Sequence, residues 1–396
     1  MTDLLLSFDF PPIGGGIARW MAELARRYPE PGLLVSTGTM PGADDRSFPA
    51  GVDRLNVPAH RLRTLGGLIR WRGRVRSLVR ERRTGFVWCG NIRPAGYVAW
   101  RTRARDGIPY GVLLHGGDLL RLRDRFRRSS AKRTVARSLL GRARWLVANS
   151  DWTARLAAAV LAELGLPVGD RIVTVPLGTD PERFRPAARH WPATAGAGAA
   201  GRVAGGSGPV LLTVARLVPH KGIDVGIGVV AELAGRFPGL EYRVVGRGPD
   251  RARLERLAAA AGVASRVKFL DSVGDDALPG EYARADLYLG LSREEGLEVE
   301  GFGIAIADAM ASGLPVVAGA SGGTGEAVRD GVTGLRVPPA EASAVGAAVG
   351  GLLEDPARAR TLGAAGRRWA ETEGTWDRVA ARLAELSRAA ASAARR

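Results

Sequence analysis

At 396 residues with 46% hydrophobic side chains, the chain has the length for two domains and the composition of a folded protein, which excludes a disordered one. A single cysteine, Cys89, excludes an internal disulfide and a cysteine-rich zinc site. The net charge of +17 is unevenly placed: residues 1–186 hold 32 Lys or Arg against 16 Asp or Glu, and residues 187–396 hold 25 against 24.

The opening MTDLLLSFDF has no basic n-region and only a three-residue apolar run, so no signal peptide is expected. No apolar stretch is long enough to span a membrane, and a cytoplasmic location is expected. Residues 4–8 read as a short buried strand. After Pro11 and Pro12, the run Gly14, Gly15 and Gly16 leads into a helix from about residue 17 to 27. A strand, a glycine loop and a helix start form one possible cradle for a phosphate or a sugar. Residues 33–36 read as a second strand.

The stretch 61–83 is strongly basic, with Leu62, Leu65, Leu68, Ile69, Trp71, Val75, Leu78 and Val79 interleaved. Much of it reads as an amphipathic helix, with Gly66 and Gly67 breaking its early part. A second basic cluster follows at 121–133, with Leu119, Leu120, Leu122 and Phe126 beside it. Such stretches suit either a core-facing helix with a solvated face or an anionic membrane surface. Between them, residues 112–114 read as a strand, with His115 at its carboxyl end before two glycines. Ligands gather at such strand ends in open α/β sheets. Residues 145–149 and 172–176 read as further strands, and Ser150 as a helix cap.

Residues 187–208 have the Ala/Gly-rich composition of a linker. A second domain opens with a strand at 210–214. Arg216 and Lys221 follow it across a loop, one a fork of donors and the other a point charge, as suits a diphosphate. A strand at 242–245 precedes GRGPDRARL. This admits a dinucleotide fingerprint with Asp271 as the ribose acid, but Arg251 stands where the third glycine belongs. A strand at 267–270 ends on Leu270. The apolar run 287–291 leads to EGFGIAIAD, residues 300–308. Glu300 precedes a helix start formed by Gly301, Phe302, Gly303 and Ile304, and Asp308 lies in the second turn. Free amides at such a start favour a phosphate. A carboxylate at each end suits an elongated ligand with hydroxyls at both ends and a diphosphate between them.

These residues carry a resemblance. VEGFGIAIADAMASGLPVVAG followed by SGGTGEAV resembles the retaining glycosyltransferases of family four. The R-x-x-x-x-K-G stretch at Arg216 and the PLGTDPERF stretch ending at Phe184 agree with it. The resemblance implies a GT-B fold: α/β, two Rossmann-like domains facing across a cleft. It gives an acceptor-binding domain at 1–186 and a nucleotide-sugar domain at 209–374. A closing helix at 375–396 would pack back on the first domain. It implies that Arg216, Lys221 and the helix start bind the diphosphate, with Leu270 backing the base. Glu300 and His115 would meet the donor sugar, and Gly15 and Gly16 would lie over the phosphate. Asp308 takes the place of a Glu that holds the ribose, one methylene shorter, so Asp308→Glu should be tolerated or improve the enzyme. No metal and no cofactor beyond the nucleotide sugar are implied, and nucleic acid is not an expected partner. The VEGFG form resembles mannosyltransferases acting on phosphatidylinositol mannosides. That favours GDP-mannose. The basic excess of residues 1–186, with its two apolar-laced clusters, points to an anionic, lipid-linked acceptor and to peripheral contact at the inner face of the cell membrane. The alternatives are a UDP-sugar with a soluble acceptor, and a non-catalytic nucleotide-sugar-binding protein of the same fold.

Overall fold

The computed structural model describes residues 2–187, 208–271 and 273–393. The expected linker, apart from its two end residues, lies outside the described residues. The chain divides into two units. One comprises Met1–Leu177 with Trp376–Arg396, the other Gly178–Thr375. Residues 178–186, assigned to the first domain from the sequence, therefore fall in the second.

In the first unit the strands are β1 (Asp3–Leu6), β2 (Leu33–Thr39), β3 (Val52–Pro58), β4 (Val87–Cys89), β5 (Tyr110–Leu114), β6 (Trp145–Ala148) and β7 (Ile172–Thr174). They form one parallel sheet in the order β3-β2-β1-β4-β5-β6-β7. Leu5 pairs with Val35 on one side and Trp88 on the other. Strands β4, β5 and β6 are buried along their whole length. That is why they read as continuous apolar runs rather than alternating ones. The helix Trp376–Ala393 belongs to this unit. Ser387 lies 3.0 Å from the Tyr28 hydroxyl, Trp145 Nε1 donates to the Leu386 carbonyl at 2.8 Å, and Arg27 pairs with Asp377 at 2.9 Å.

The second unit repeats the plan with β8 (Val210–Val214), β9 (Glu241–Val245), β10 (Val267–Leu270), β11 (Leu287–Gly290), β12 (Val316–Gly319) and β13 (Leu335–Val337). Their order is β10-β9-β8-β11-β12-β13, again parallel. Each sheet reverses its strand order beside its first strand, between β1 and β4 and between β8 and β11. The loops leaving those strands mark the place where open α/β sheets bind ligands.

The two basic stretches differ. The helix Leu65–Glu81 starts at Thr64, whose side chain accepts from Gly67 N at 3.1 Å. Gly66 and Gly67 thus sit inside its first turn rather than breaking it. A side chain on Gly67 would lie 2.0 Å from the Arg61 carbonyl oxygen. Trp71, Val75, Leu78 and Val79 are core, whereas Leu65 and Ile69, one turn apart, are 76% and 55% exposed. The second stretch lies in the helices Gly117–Arg127 and Ser130–Arg142. Glu163 pairs with Arg127 at 2.9 Å and with Arg123 at 3.4 Å, and Asp124 pairs with Arg128 at 2.7 Å. Leu119, Leu122 and Phe126 are buried. This stretch forms two helices that bury an apolar face, with Arg123 and Arg127 sharing Glu163 and Arg128 paired with Asp124. Among the described residues no helix is long and apolar enough to cross a membrane.

Candidate active site

In the second unit the chain leaves β8 through Ala215 and Arg216 into a short 3-10 turn, Pro219–Lys221. Backbone bonds fix this loop at both ends. Ala215 N donates to the Val245 carbonyl at 3.0 Å, Leu217 N to Arg247 O at 2.9 Å, and Arg293 N to His220 O at 2.8 Å. The glycines of GRGP allow that packing. A side chain on Gly246 would lie 1.9 Å from Ala215 O, and one on Gly248 would lie 2.1 Å from Leu217 O. Their role is close backbone approach within the sheet edge. Asp271, the ribose acid of the dinucleotide reading, instead pairs with Arg251 at the start of the helix Arg251–Ala260. Leu270 sits at the end of β10, where its carbonyl accepts from Gly246 N at 3.0 Å.

Lys221 and Glu300 meet at this strand edge: Lys221 Nζ donates to Glu300 Oε2. Both side chains keep some exposure, 13% and 26%. Burial pushes the Glu300 carboxyl up, but the charge and hydrogen bond of Lys221, with the charge of Arg216 nearby, outweigh it and hold the group below its usual value. Glu300 is therefore ionised at neutral pH. His220, beside it, is buried. Burial and the neighbouring Lys221 press its imidazole below its ordinary value, so it is neutral at pH 7. Arg216 is exposed, and its charge reaches both groups.

Glu300 is carried by a loop that the next turn supports. Gly323 N donates to Glu300 O at 2.9 Å, and a side chain on Gly322 would lie 2.7 Å from the same oxygen. The SGG run of the sequence thus acts as a backbone rest for Glu300. Gly301 and Phe302 are buried, and Gly303 takes φ +99°, a left-handed conformation that favours glycine, to start the helix Ile304–Ala311. No side chain caps this start, so its first amides point out of the helix end. Asp308 is placed differently from Glu300. It is 1% exposed, and its Oδ1 accepts from Thr179 Oγ1 at 2.6 Å. The structure therefore brings Arg216, Lys221, Glu300 and the helix start to one edge and sets Asp308 into the interior behind them. Thr179 escaped the sequence reading, since nothing local signals a partner 129 residues away.

In the first unit the helix Gly16–Arg27 starts at Gly15, with φ +111° and no side-chain cap. His115 lies at the end of β5. Its Nε2 is 2.7 Å from Gly90 O, and its ring meets the edge of Trp20 at 5.0 Å. With Nε2–H donating to that carbonyl, Nδ1 is the nitrogen open to a ligand hydroxyl. Two residues missed from the sequence join it. Asp9 follows β1, and Asn91 Nδ2 donates to Asp9 Oδ2 at 3.4 Å. Burial raises the Asp9 carboxyl above its usual value, despite the opposing charges of Arg63 and His115. The signal for Asp9 was its place just past the first strand, the mirror of Arg216 in the second unit. Among the described residues no group of three or more His, Cys, Asp or Glu is placed to hold a metal ion.

Two Rossmann-like α/β units, the second with cations, a carboxylate and a helix start at its switch point, define a glycosyltransferase of the GT-B class. The family model described as Glycosyl transferases group 1 matches residues 202–369, and that described as Glycosyltransferase Family 4 matches residues 14–183. The GDP-mannose-dependent alpha-(1-6)-phosphatidylinositol monomannoside mannosyltransferase of Mycolicibacterium smegmatis is 33% identical over 390 residues, 97% of each chain. The D-inositol 3-phosphate glycosyltransferase of Nocardia farcinica is 36% identical over 313 residues, 74% of this chain and 65% of that one. The sucrose-phosphate synthase of Thermosynechococcus elongatus superposes with a TM-score of 0.79 at 23% identity, covering 99% of each chain. The chain belongs to family four of the glycosyltransferases.

Proposed function

We propose that this enzyme transfers mannose from GDP-mannose, with retention, to a hydroxyl of an inositol-containing glycolipid. The observation that carries the donor half is the meeting of Lys221 with Glu300 beside Arg216 and the uncapped start of Ile304–Ala311. Cations and amides at that edge suit a diphosphate, and an ionised Glu300 suits the hydroxyls of the sugar. In the reaction the bond from the sugar's anomeric carbon to the diphosphate breaks and a bond to the acceptor oxygen forms. The acceptor proton passes to the leaving phosphate. Arg216, Lys221 and the helix amides stabilise the charge that builds there. Asp9, Asn91 and His115 at the switch point of the first unit are the groups proposed to hold the acceptor and orient the sugar. Gly15 and Gly16 open the neighbouring loop. The choice of mannose and of a phosphatidylinositol-type acceptor rests on the mycobacterial relative at 33% identity.

Thermal shift with GDP, UDP and ADP tests the donor. A ligand at 100 times its dissociation constant adds about 2.7 kcal/mol. GDP should raise Tm most; a larger shift with UDP would replace GDP-mannose by a UDP-sugar. Release of nucleoside diphosphate from the donor separates an enzyme from a binding protein of the same fold.

The basic first unit supports a lipid acceptor. Exposed Leu65 and Ile69 lie one turn apart on the helix Leu65–Glu81, with exposed Arg61 before it and exposed Arg70 beside Ile69 in the chain; for these bases no acidic partner is found among the described residues. An apolar patch flanked by bases suits an anionic membrane surface, where each base contributes about 1 kcal/mol. Leu65→Asp with Ile69→Asp should abolish cosedimentation with anionic vesicles and leave nucleotide binding unchanged. Equal binding of wild type and variant, or equal binding to zwitterionic vesicles, would remove the membrane contact. A second reading, favoured by the relative named for D-inositol 3-phosphate, is a soluble anionic acceptor. Transfer to inositol phosphate in the absence of lipid would support it.

A further inference from the structure

We infer that Asp308 is a positioning residue: through Thr179 it clamps the phosphate-facing helix to the segments by which the chain enters and leaves the second unit. It does not touch the ribose. Both residues are 1% exposed, and the Thr179 hydroxyl donates to Asp308 Oδ1 at 2.6 Å. A carboxylate oxygen taken this far from water needs hydrogen-bond donors, and a hydroxyl at this distance is one.

Thr179 is itself fixed. Its backbone N donates to Gly374 O at 2.8 Å, and it forms a parallel bridge with Thr375. Residues 179 and 375 lie next to the two points where the chain passes between the units. Arg367 makes a second grip on the same parts. Its Nη1 donates to Ala311 O at the helix end, at 2.6 Å, and to Pro181 O and Phe184 O at 2.8 and 2.7 Å. The helix Ile304–Ala311 has only eight residues, too few to hold its own direction. Its start can aim amides at a diphosphate only if its far end is anchored, and Asp308 with Arg367 supplies that anchor. The shorter side chain of Asp308, which the resemblance left as a shortfall in reach, is matched here to a hydroxyl on the adjoining segment.

The inference rests on the reading of this unit as a nucleotide-sugar site, and one set of variants separates the two. Dissociation constants are measured for GDP or UDP, whichever binds wild type more tightly, and for its 2′,3′-dideoxy counterpart, in Thr179→Val, Thr179→Ser and Asp308→Ala. A clamp predicts that Thr179→Val and Asp308→Ala each weaken both nucleotides by the same factor, about tenfold. The ribose preference stays at its wild-type ratio, and Thr179→Ser recovers wild-type affinity. A ribose contact predicts the reverse: the preference vanishes in Asp308→Ala alone, and Thr179→Val binds as wild type. That result overturns the inference, as does unchanged affinity in both variants. If wild type binds neither nucleotide, the functional reading fails. The clamp is then decided by Tm: a double variant falling no further than the worse single variant supports it, and additive losses overturn it. Thr179→Ser and Thr179→Val carry the comparison should Asp308→Ala not fold.

Discussion

Lys221→Ala should lower the rate of transfer by about a hundredfold, the usual cost of one electrostatic donor at a developing charge, or ~2.7 kcal/mol. Lys221 sits in a turn held at both ends by backbone bonds, so its loss should leave the fold in place. The effect should fall mainly on the rate constant, since charge on the diphosphate grows as the sugar leaves. Arg216→Ala should act in the same direction. A second consequence follows from the Lys221–Glu300 contact. Glu300 is held below its usual value only because Lys221, with Arg216, outweighs burial. Without Lys221 its carboxyl moves up. Protonated Glu300 no longer accepts from sugar hydroxyls in the same way, so donor affinity should fall as pH is lowered, at mildly acidic pH where wild type stays flat. Steady-state kinetics of both forms across pH check this. Wild-type rates in both Lys221→Ala and Arg216→Ala would remove the pair from the site.

Gly246→Ala should damage stability and donor binding together. Gly246 takes φ +144°, a conformation strained for any side chain, and a Cβ there would lie 1.9 Å from Ala215 O. The obstruction is backbone, so neither side can yield cheaply. Strain and overpacking together come to about 3 kcal/mol or more, on the order of 10 °C in Tm. The loop forced to move is the one that carries Arg216, so nucleotide affinity should fall as well. Gly73→Ala is the control. A side chain there meets nothing within 4 Å inside the helix Leu65–Glu81, and the change should raise stability by about 0.5–1 kcal/mol. Differential scanning fluorimetry with and without nucleotide distinguishes the two. A Gly246→Ala protein as stable as wild type would show that the β8 and β9 loops pack differently.

The central strands were legible because they are buried on both faces, so 4–8, 112–114, 210–214 and 287–291 appear as mostly apolar runs, broken only by Ser7, Thr213 and Gly290. Of the four edge strands, β7 and β10 were read and β3 and β13 were not. β3 is half exposed and carries Asp53 and Arg54, which pair with Arg74 and Asp45 rather than packing in a core. β13 has three residues. Arg216 and Lys221 stand in the loop after β8 and Glu300 just before the helix Ile304–Ala311, the places the sequence reading gave them. Asp308 was legible as a residue but not as a contact. Its spacing from Glu300 gives a place on the helix, whereas its burial depends on Thr179, held by a segment that the sequence assigned to the other domain. For that reason Asp308→Glu, harmless on the sequence reading, should now reduce activity. An extra methylene in a filled interior costs typically about 1–3 kcal/mol. The basic stretches show the same limit. Composition alone could not tell that Glu163 and Asp124 pair with Arg123, Arg127 and Arg128, while exposed Leu65 and Ile69 sit near Arg61 and Arg70.

The most direct measurement is incubation of the purified enzyme with GDP-mannose and vesicles containing a phosphatidylinositol monomannoside, with analysis of the lipid product by mass spectrometry and NMR. The account predicts one added hexose, an α linkage matching that of the donor, and one GDP released per transfer. It also predicts loss of all three in Lys221→Ala. Inverted linkage would contradict the retaining assignment. Tight GDP-mannose binding with no product, in the presence of this and of soluble inositol phosphate acceptors, would contradict the transferase itself.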